Sequence, residues 1–493
     1  MARNILLFTL ILDDTGNKDT EKIWDIYYHV LIDDESLNFL RNQASRLEKV
    51  AATAEEWNKG RYGTTLRFCD SYTFSQVLRL WKFYALQACH GRAFEEQQAQ
   101  LQKSTQKARK IQKEIIGNSI NLDSLRSAAP LSDCALDNAP ISYKTFWKTG
   151  SSKPHQETKP SNLNPVFGTT NTRLFLQYRA DPLACYHIAT AHATLSDDSP
   201  LNPDAAMAGQ SDKVFKSALS QFHEFAKAFR DSAPRLTIRL VIADALALCH
   251  TLQHIKIYGN GSTAGWYRSC CTWEPLSLDI SDYSLGDTEA VAPLSFDVIE
   301  TSDVVDHVGC LNILTAAGSL LKPKPTSTLS ARPQVQQDSD IEQQKGDILC
   351  GDLQSVSLLF CLVPVEIWTG TTASSQFDER LISDIAGRQA ETAASSRLTV
   401  QWKSAAISTE GTNQSSPNNK MSFLTYDPKE LAQHLFQIYQ SMFQDEDNTN
   451  WLSAILMESS QRKPHGNYTR ASFAAILSHI RLSNMVNWPI FMS

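Results

Sequence analysis

Twice in the middle of this chain, a short run of branched aliphatic residues turns into helical spacing at a polar residue. The first is RLTIRLVIADALALCHTLQHI (235–255), which changes at Asp244. The second is LSFDVIETSDVVDHVGCLNILTAAGSLL (294–321), which changes at about Thr301. A strand that feeds directly into a helix is what a parallel sheet requires, because parallel neighbours need a crossover rather than a hairpin. The pattern therefore predicts an α/β fold. It predicts a buried strand over 296–300, lying beside the strand of 236–242, and a helix over 304–318. Ligands on such sheets lie beyond the carboxyl ends of the strands, which is where Asp244 and the stretch Glu300–Asp303 fall.

A chain of 493 residues exceeds one ordinary domain. Hydrophobic residues at 42% and charged residues at 20% are enough for real cores and exclude global disorder. Residues 1–148 read as helical. Leu37, Leu40, Ala44 and Leu47 share one helical face with Asp33 or Asp34 as N-cap, and Trp24, Tyr27, Tyr28 and Leu31 share another. The Gln- and Lys-rich stretch 95–117 spreads its charges around a helix and reads as solvated. Residues 149–172 read as a linker, 173–331 as strands and helices, 332–347 as a polar loop and 348–407 as a mixed continuation. A second polar loop follows at 408–420 and a helical region at 421–493, where Leu431, Leu435, Ile438 and Met442 line up. The polar stretch 322–347 has room for a short edge strand near its start.

The opening MARNILLFTLILDD has an apolar core from Ile5 to Leu12, far short of the ~20 residues of a membrane span, and no small-residue cleavage site follows it. It reads as a buried helix, and a soluble protein is expected. A formal net charge of −7 gives no reason to expect a nucleic-acid partner. No two of the ten cysteines have C-x-x-C spacing, and they read as reduced thiols of an intracellular protein. In ALCHTLQHI, Cys249, His250 and His254 share a face but lack the further ligands that a metal needs. In TSDVVDH, the acids Asp303 and Asp306, followed by His307, read as helix-start residues meeting the positive end of the helix dipole. The Gly-x-Gly of YGNGSTAGWYR (258–268) is followed by a poor helix and reads as a surface loop.

Several long stretches, in order, carry a likeness: ARNILLFTLILDD, KIWDIYYHVLIDDESLNFL, EEWNKGRYGTTLRFCD, DPLACYHIATAH, RLTIRLVIADALALCHTLQ, FDVIETSDVVDHVGCLNIL and LLFCLVPVEIWTGTTASSQFDE. Together they resemble the N-terminal domain of unknown function in fungal MYND-finger proteins, a domain type also found in dynein axonemal assembly factors. The resemblance implies an incomplete Rossmann-like, class I methyltransferase-like parallel sheet with large helical insertions and a helical C-terminal region. On that analogy Asp244 and Ala245 end the strand near the adenine of S-adenosylmethionine. Glu300, Thr301 and Ser302 end the next strand, and STLSAR (327–332) is the one after. The family's Gly-rich strand–loop unit and its MYND zinc finger are both expected to be missing from this chain, so neither cofactor nor metal is expected in it, and no residues are nominated as catalytic. The implied function is a protein-interaction or assembly scaffold with a degenerate methyltransferase-like core, binding other proteins in the cytoplasm or nucleus and neither nucleic acid nor membrane. The alternative is an S-adenosylmethionine-dependent methyltransferase whose cofactor loop is absent. A pair of potential ligands without a third and fourth binds metal weakly, so elemental analysis after dialysis is expected to find well under one zinc per chain.

Overall fold

The computed structural model describes residues 1–85, 146, 148–153, 162–168, 210–259, 276–283, 292–336, 340–370, 395–405, 425–444, 468–483 and 486–492, with scattered positions in 95–110. The chain divides between Ile242 and Ala243 into two compact units. Most of the Gly-x-Gly stretch 258–268, the polar loop 408–420 and DPLACYHIATAH lie outside the described residues. Among the described residues, no helix is long and apolar enough to cross a membrane.

The first unit is built around α1 (Ala2–Asp13), which buries Ile5, Leu6, Leu7, Leu10 and Ile11. Helix α2 (Thr20–Tyr28) is followed by β1 (Leu31–Ile32) and α3 (Asp34–Val50). The expected face of α3 is buried, and Asp33 caps the helix by accepting from the Ser36 amide at 2.7 Å. Next come α4 (Ala54–Lys59), β2 (Leu66–Phe68) and α5 (Ser71–Ala85). Trp57 on α4 and Trp81 on α5 meet with ring centroids 5.1 Å apart, and the Trp57 indole N–H donates to the Leu66 carbonyl at 2.7 Å. The Asn58 amide bonds both the carbonyl and the N–H of Phe68 at 2.9 Å, pairing β2 on that side as a neighbouring strand would. The unit continues with β3 (Asn162–Leu163), antiparallel to β1, then α6 (Gln210–Ser232) and β4 (Ile238–Leu240).

The second unit starts with α7 (Ala245–Tyr258), β5 (Val298–Glu300), α8 (Val304–Val308) and α9 (Cys310–Ala317). Strands β6 (Thr328–Ala331) and β7 (Gln334–Gln336) lead to helices α10 (Ile341–Leu349) and α11 (Leu353–Leu359). Then come β8 (Leu362–Pro364), α12 (Val365–Thr369), β9 (Ser395–Arg397) and β10 (Val400–Ser404). Helices α13 (Pro428–Met442), α14 (Arg470–Ser483) and α15 (Trp488–Phe491) follow. The main sheet has the order β5-β6-β10-β8. Its core includes Leu311, Leu314, Leu329, Val356, Trp402 and Ile480, with Leu431, Leu435, Ile438 and Met442 buried as their spacing predicts.

The fold is thus mixed α/β with some parallel pairing, and four finer expectations need correction. Strand β4 does not neighbour β5: it pairs in parallel with β2 (Leu66↔Ile238), in the first unit. Strand β5 pairs in parallel with β6, but β10 runs antiparallel to both β6 and β8, so the sheet is not mainly parallel. Strand β5 is also not buried. It lies at a sheet edge with Val298 66% exposed, because only one of its faces meets the core. Polar composition misleads in two places. Residues 149–172 hold packed segments, with Ser151, Asn164 and Val166 almost fully buried, and 322–347 holds the interior strand β6, β7 and the start of α10.

The helix expected over 304–318 is broken at Gly309, whose φ of +84° suits glycine alone. A Cβ there would come within 2.6 Å of the Tyr468 ring. Tyr468 fills that gap, and its hydroxyl accepts from the Leu311 amide at 3.2 Å, supplying the first turn of α9 with a partner that the sequence before it lacks. Burial, with the neighbouring Cys350 and Cys310, pushes the Tyr468 phenol well above its usual range. Gly309→Ala combines a strained φ with overpacking and is expected to destabilise the chain by about 2 kcal/mol or more. Tyr468→Phe, which strands one buried amide, is expected to cost about 1–3 kcal/mol; urea unfolding of the two variants checks both.

Candidate functional site

Asp244 is the N-cap of α7: one carboxylate oxygen accepts from the Leu246 amide at 2.8 Å and the Ala247 amide at 3.0 Å. Ala245 is the first residue of that helix. Glu300 ends β5 exposed, accepts from the Ser302 amide at 3.1 Å and lies 3.7 Å from the Arg332 guanidinium. The Thr301 amide and hydroxyl both donate to the Ser330 carbonyl, at 2.9 and 3.0 Å. Ser302 holds φ at +47°, and its carbonyl accepts from the Arg332 amide at 2.9 Å. Asp244, Glu300, Thr301 and Ser302 therefore fasten a helix start and strand ends. The two strands they were expected to terminate, β4 and β5, belong to different sheets.

The acids of TSDVVDH do not act alike. Asp303 occupies the N-cap position of α8 and Asp306 its first turn, as the spacing predicts, though Asp303 makes no side-chain cap bond. Asp306 instead receives the Gln334 amide at 2.9 Å and a guanidinium N–H of Arg397, joining the start of β7 to β9. His307 is exposed. On α7, burial pushes the Cys249 thiol to about 12 and lowers His250, whose Nδ1 lies 3.1 Å from the Gln253 side-chain oxygen. The His254 ring lies 4.7 Å from that of Tyr258. Among the described residues no three or more His, Cys, Asp and Glu side chains gather as a metal would need.

The first unit brings together a set that the sequence reading missed. Asp25 lies in the last turn of α2 and His29 is the residue after that helix, so i and i+4 spacing puts Nδ1 of His29 3.1 Å from the Asp25 carboxylate. The N–H direction is turned off that line, so the contact is electrostatic rather than a straight hydrogen bond. On the far side of the ring, Nε2 lies 2.7 Å from the Ser152 hydroxyl oxygen and 3.2 Å from the Ser152 amide, which donates to it. An N–H donor at Nε2 and a carboxylate at Nδ1 assign the imidazole proton to Nδ1.

Ser152 is placed there by local chain geometry. Gly150, at φ +79°, turns the backbone so that its carbonyl accepts from both the Val30 and Leu31 amides. Asn164 closes the opposite side by donating to the Ile26 and His29 carbonyls at 2.7 and 2.8 Å. The Trp24 indole N–H lies 3.3 Å from the Ser152 oxygen as its donor. Lys153 binds the second oxygen of Asp25 at 2.7 Å and Glu21 at 2.9 Å. His29 is 1% exposed, Asp25 5% and Ser152 8%. No short-range motif could have signalled this set, since His29 and Ser152 are 123 positions apart and the serine falls in a stretch that reads as a linker.

Burial alone would raise the Asp25 carboxyl, but the His29 contact and the Lys153 ammonium outweigh it and hold the group below the usual carboxylate range. A depressed native value means that the stabilisation is complete above the unfolded value, about pH 4, and is lost as pH falls through the native one. Asp25→Asn is expected to destabilise by about 1–3 kcal/mol at neutral pH, with the difference from wild type narrowing below about pH 4; urea titrations at both pH values test this. No family model, no curated protein and no solved structure matches the chain.

Proposed function

We propose that this protein is a scaffold that binds other proteins in the cytoplasm or nucleus, and that its likeness to class I methyltransferases is degenerate. One observation carries the reading: the acid that would face the adenine of S-adenosylmethionine already serves two backbone amides of its own helix. Asp244 thereby satisfies helix-start donors that would otherwise lack partners. A ligand that displaced those bonds from the capping oxygen would remove about 0.5–2 kcal/mol from the helix start. The end of β5, which belongs to a different sheet, offers Glu300, already within 3.7 Å of Arg332, and Thr301, already bonded to Ser330.

One hydrogen bond adds a net ~0.5–1.5 kcal/mol, far below the ~8 kcal/mol of micromolar binding. Titration calorimetry of the purified chain with S-adenosylmethionine is expected to give no measurable heat of binding. Asp244→Ala is expected to lower the melting temperature and leave the calorimetric trace flat. Micromolar binding that disappears in Asp244→Ala would overturn the scaffold reading and favour the methyltransferase.

A further inference from the structure

The buried set around His29 goes beyond the scaffold reading and does not depend on it. We propose that Ser152, His29 and Asp25 form a nucleophilic centre that hydrolyses small apolar acyl esters. The roles follow from the contacts. His29 Nε2, without a proton and 2.7 Å from the Ser152 oxygen, is within reach to accept the hydroxyl proton. Asp25, 3.1 Å from Nδ1, holds the tautomer and faces the positive charge that develops on the ring. The misaligned N–H is a common state of an unliganded site, whose bonds tighten when substrate binds. Lys153 holds the carboxylate ionised. The Trp24 indole N–H, 3.3 Å from the Ser152 oxygen, fixes the hydroxyl's position beside His29.

The ligand class follows from the surroundings. Trp24, which donates to the serine oxygen, is flanked by Tyr28 and Phe222, with ring centroids 4.4 and 5.5 Å away, so the groups around the serine are aromatic. Ser152 is 8% exposed, so a large or charged substrate is disfavoured there. Lys153 already pairs with Asp25 and Glu21, so nothing here calls for a charged substrate. In the proposed step the Ser152 oxygen bonds to the acyl carbon as its proton passes to Nε2. The carbon–oxygen bond to the leaving alcohol then breaks, and that alcohol takes the proton from His29. Water repeats the sequence on the acyl-serine, releasing the acid and restoring the hydroxyl.

A fluorophosphonate probe tests this on the full chain, because phosphonylation forms a P–O bond to the serine and releases fluoride with the hydroxyl proton. The expected result is one adduct per chain by intact mass, mapped to the peptide containing Ser152 and absent in Ser152→Ala. Labelling of His29→Gln is expected to be slower by at least about a hundredfold, the scale of general-base assistance, with circular dichroism showing the variant folded. If His29→Gln does not fold, Ser152→Cys serves instead: alkylation by iodoacetamide faster than that of a free thiol supports the centre, and slower alkylation overturns it. No adduct on the wild-type chain, an adduct elsewhere, or an unchanged rate in folded His29→Gln each overturns the proposal.

Discussion

Helix α1 buries apolar side chains on most of its circumference, and that constraint organises the first unit. Ile5, Leu6, Leu7, Leu10 and Ile11 point in every direction around the axis, so helices must lie on several flanks at once. Helices α2, α3, α5 and α6 do so. Its one cation, Arg3, is taken in with it and lies over the Tyr27 ring at 3.8 Å, donating to the Tyr27 carbonyl; burial draws the guanidinium down to about 10. Enclosing α1 brings α2 inward, and α2 carries Asp25 and leads to His29. The buried polar set is thus a consequence of an apolar helix: side chains on the packed face of α2 must find partners inside, because water is excluded there.

The second unit depends on a different device. Its sheet has one interior tryptophan, Trp402 on β10, aligned with Leu329 on one neighbour and Pro364 on the other, and its indole N–H donates to the Ser357 hydroxyl of α11 at 3.0 Å. The same helix-side packing brings Tyr468 to Gly309. A residue just ahead of α14 thereby completes the start of α9. The cysteines beside it, Cys310 and Cys350, are held as thiols, pushed by burial to about 12 and about 11.

Elements whose signal is local were legible in the sequence. The faces of α3 and α13, the cap at Asp33 and the burial of α1 follow from spacing and composition within a few turns. Pairings that depend on distant residues were not. LTIRLVIAD announced a strand but not its partner, because the alternation in TTLRFCD is too short to mark β2, and Asn58 supplies part of that strand's bonding. Residues 149–168 were misread because Ser, Lys, Asn and Pro usually mean solvent; here Gly150, Ser152 and Asn164 are polar because they satisfy backbone and ring atoms in the interior. The candidate site shares that blindness. A helix turn and a loop must meet before Asp25, His29 and Ser152 become a set.

The separation of these partners also bears on how the chain matures during synthesis. The bond from Trp24 to Ser152 spans 128 positions, and that from Arg230 to the Ile11 carbonyl spans 219. At roughly 5–20 residues per second, α1 leaves the ribosome on the order of ten seconds before the loop that anchors α2, and longer before α6 covers it. During that interval the apolar residues of α1 have no native surface to lie against. The first unit's nascent chain therefore carries this apolar surface uncovered until α6 has emerged.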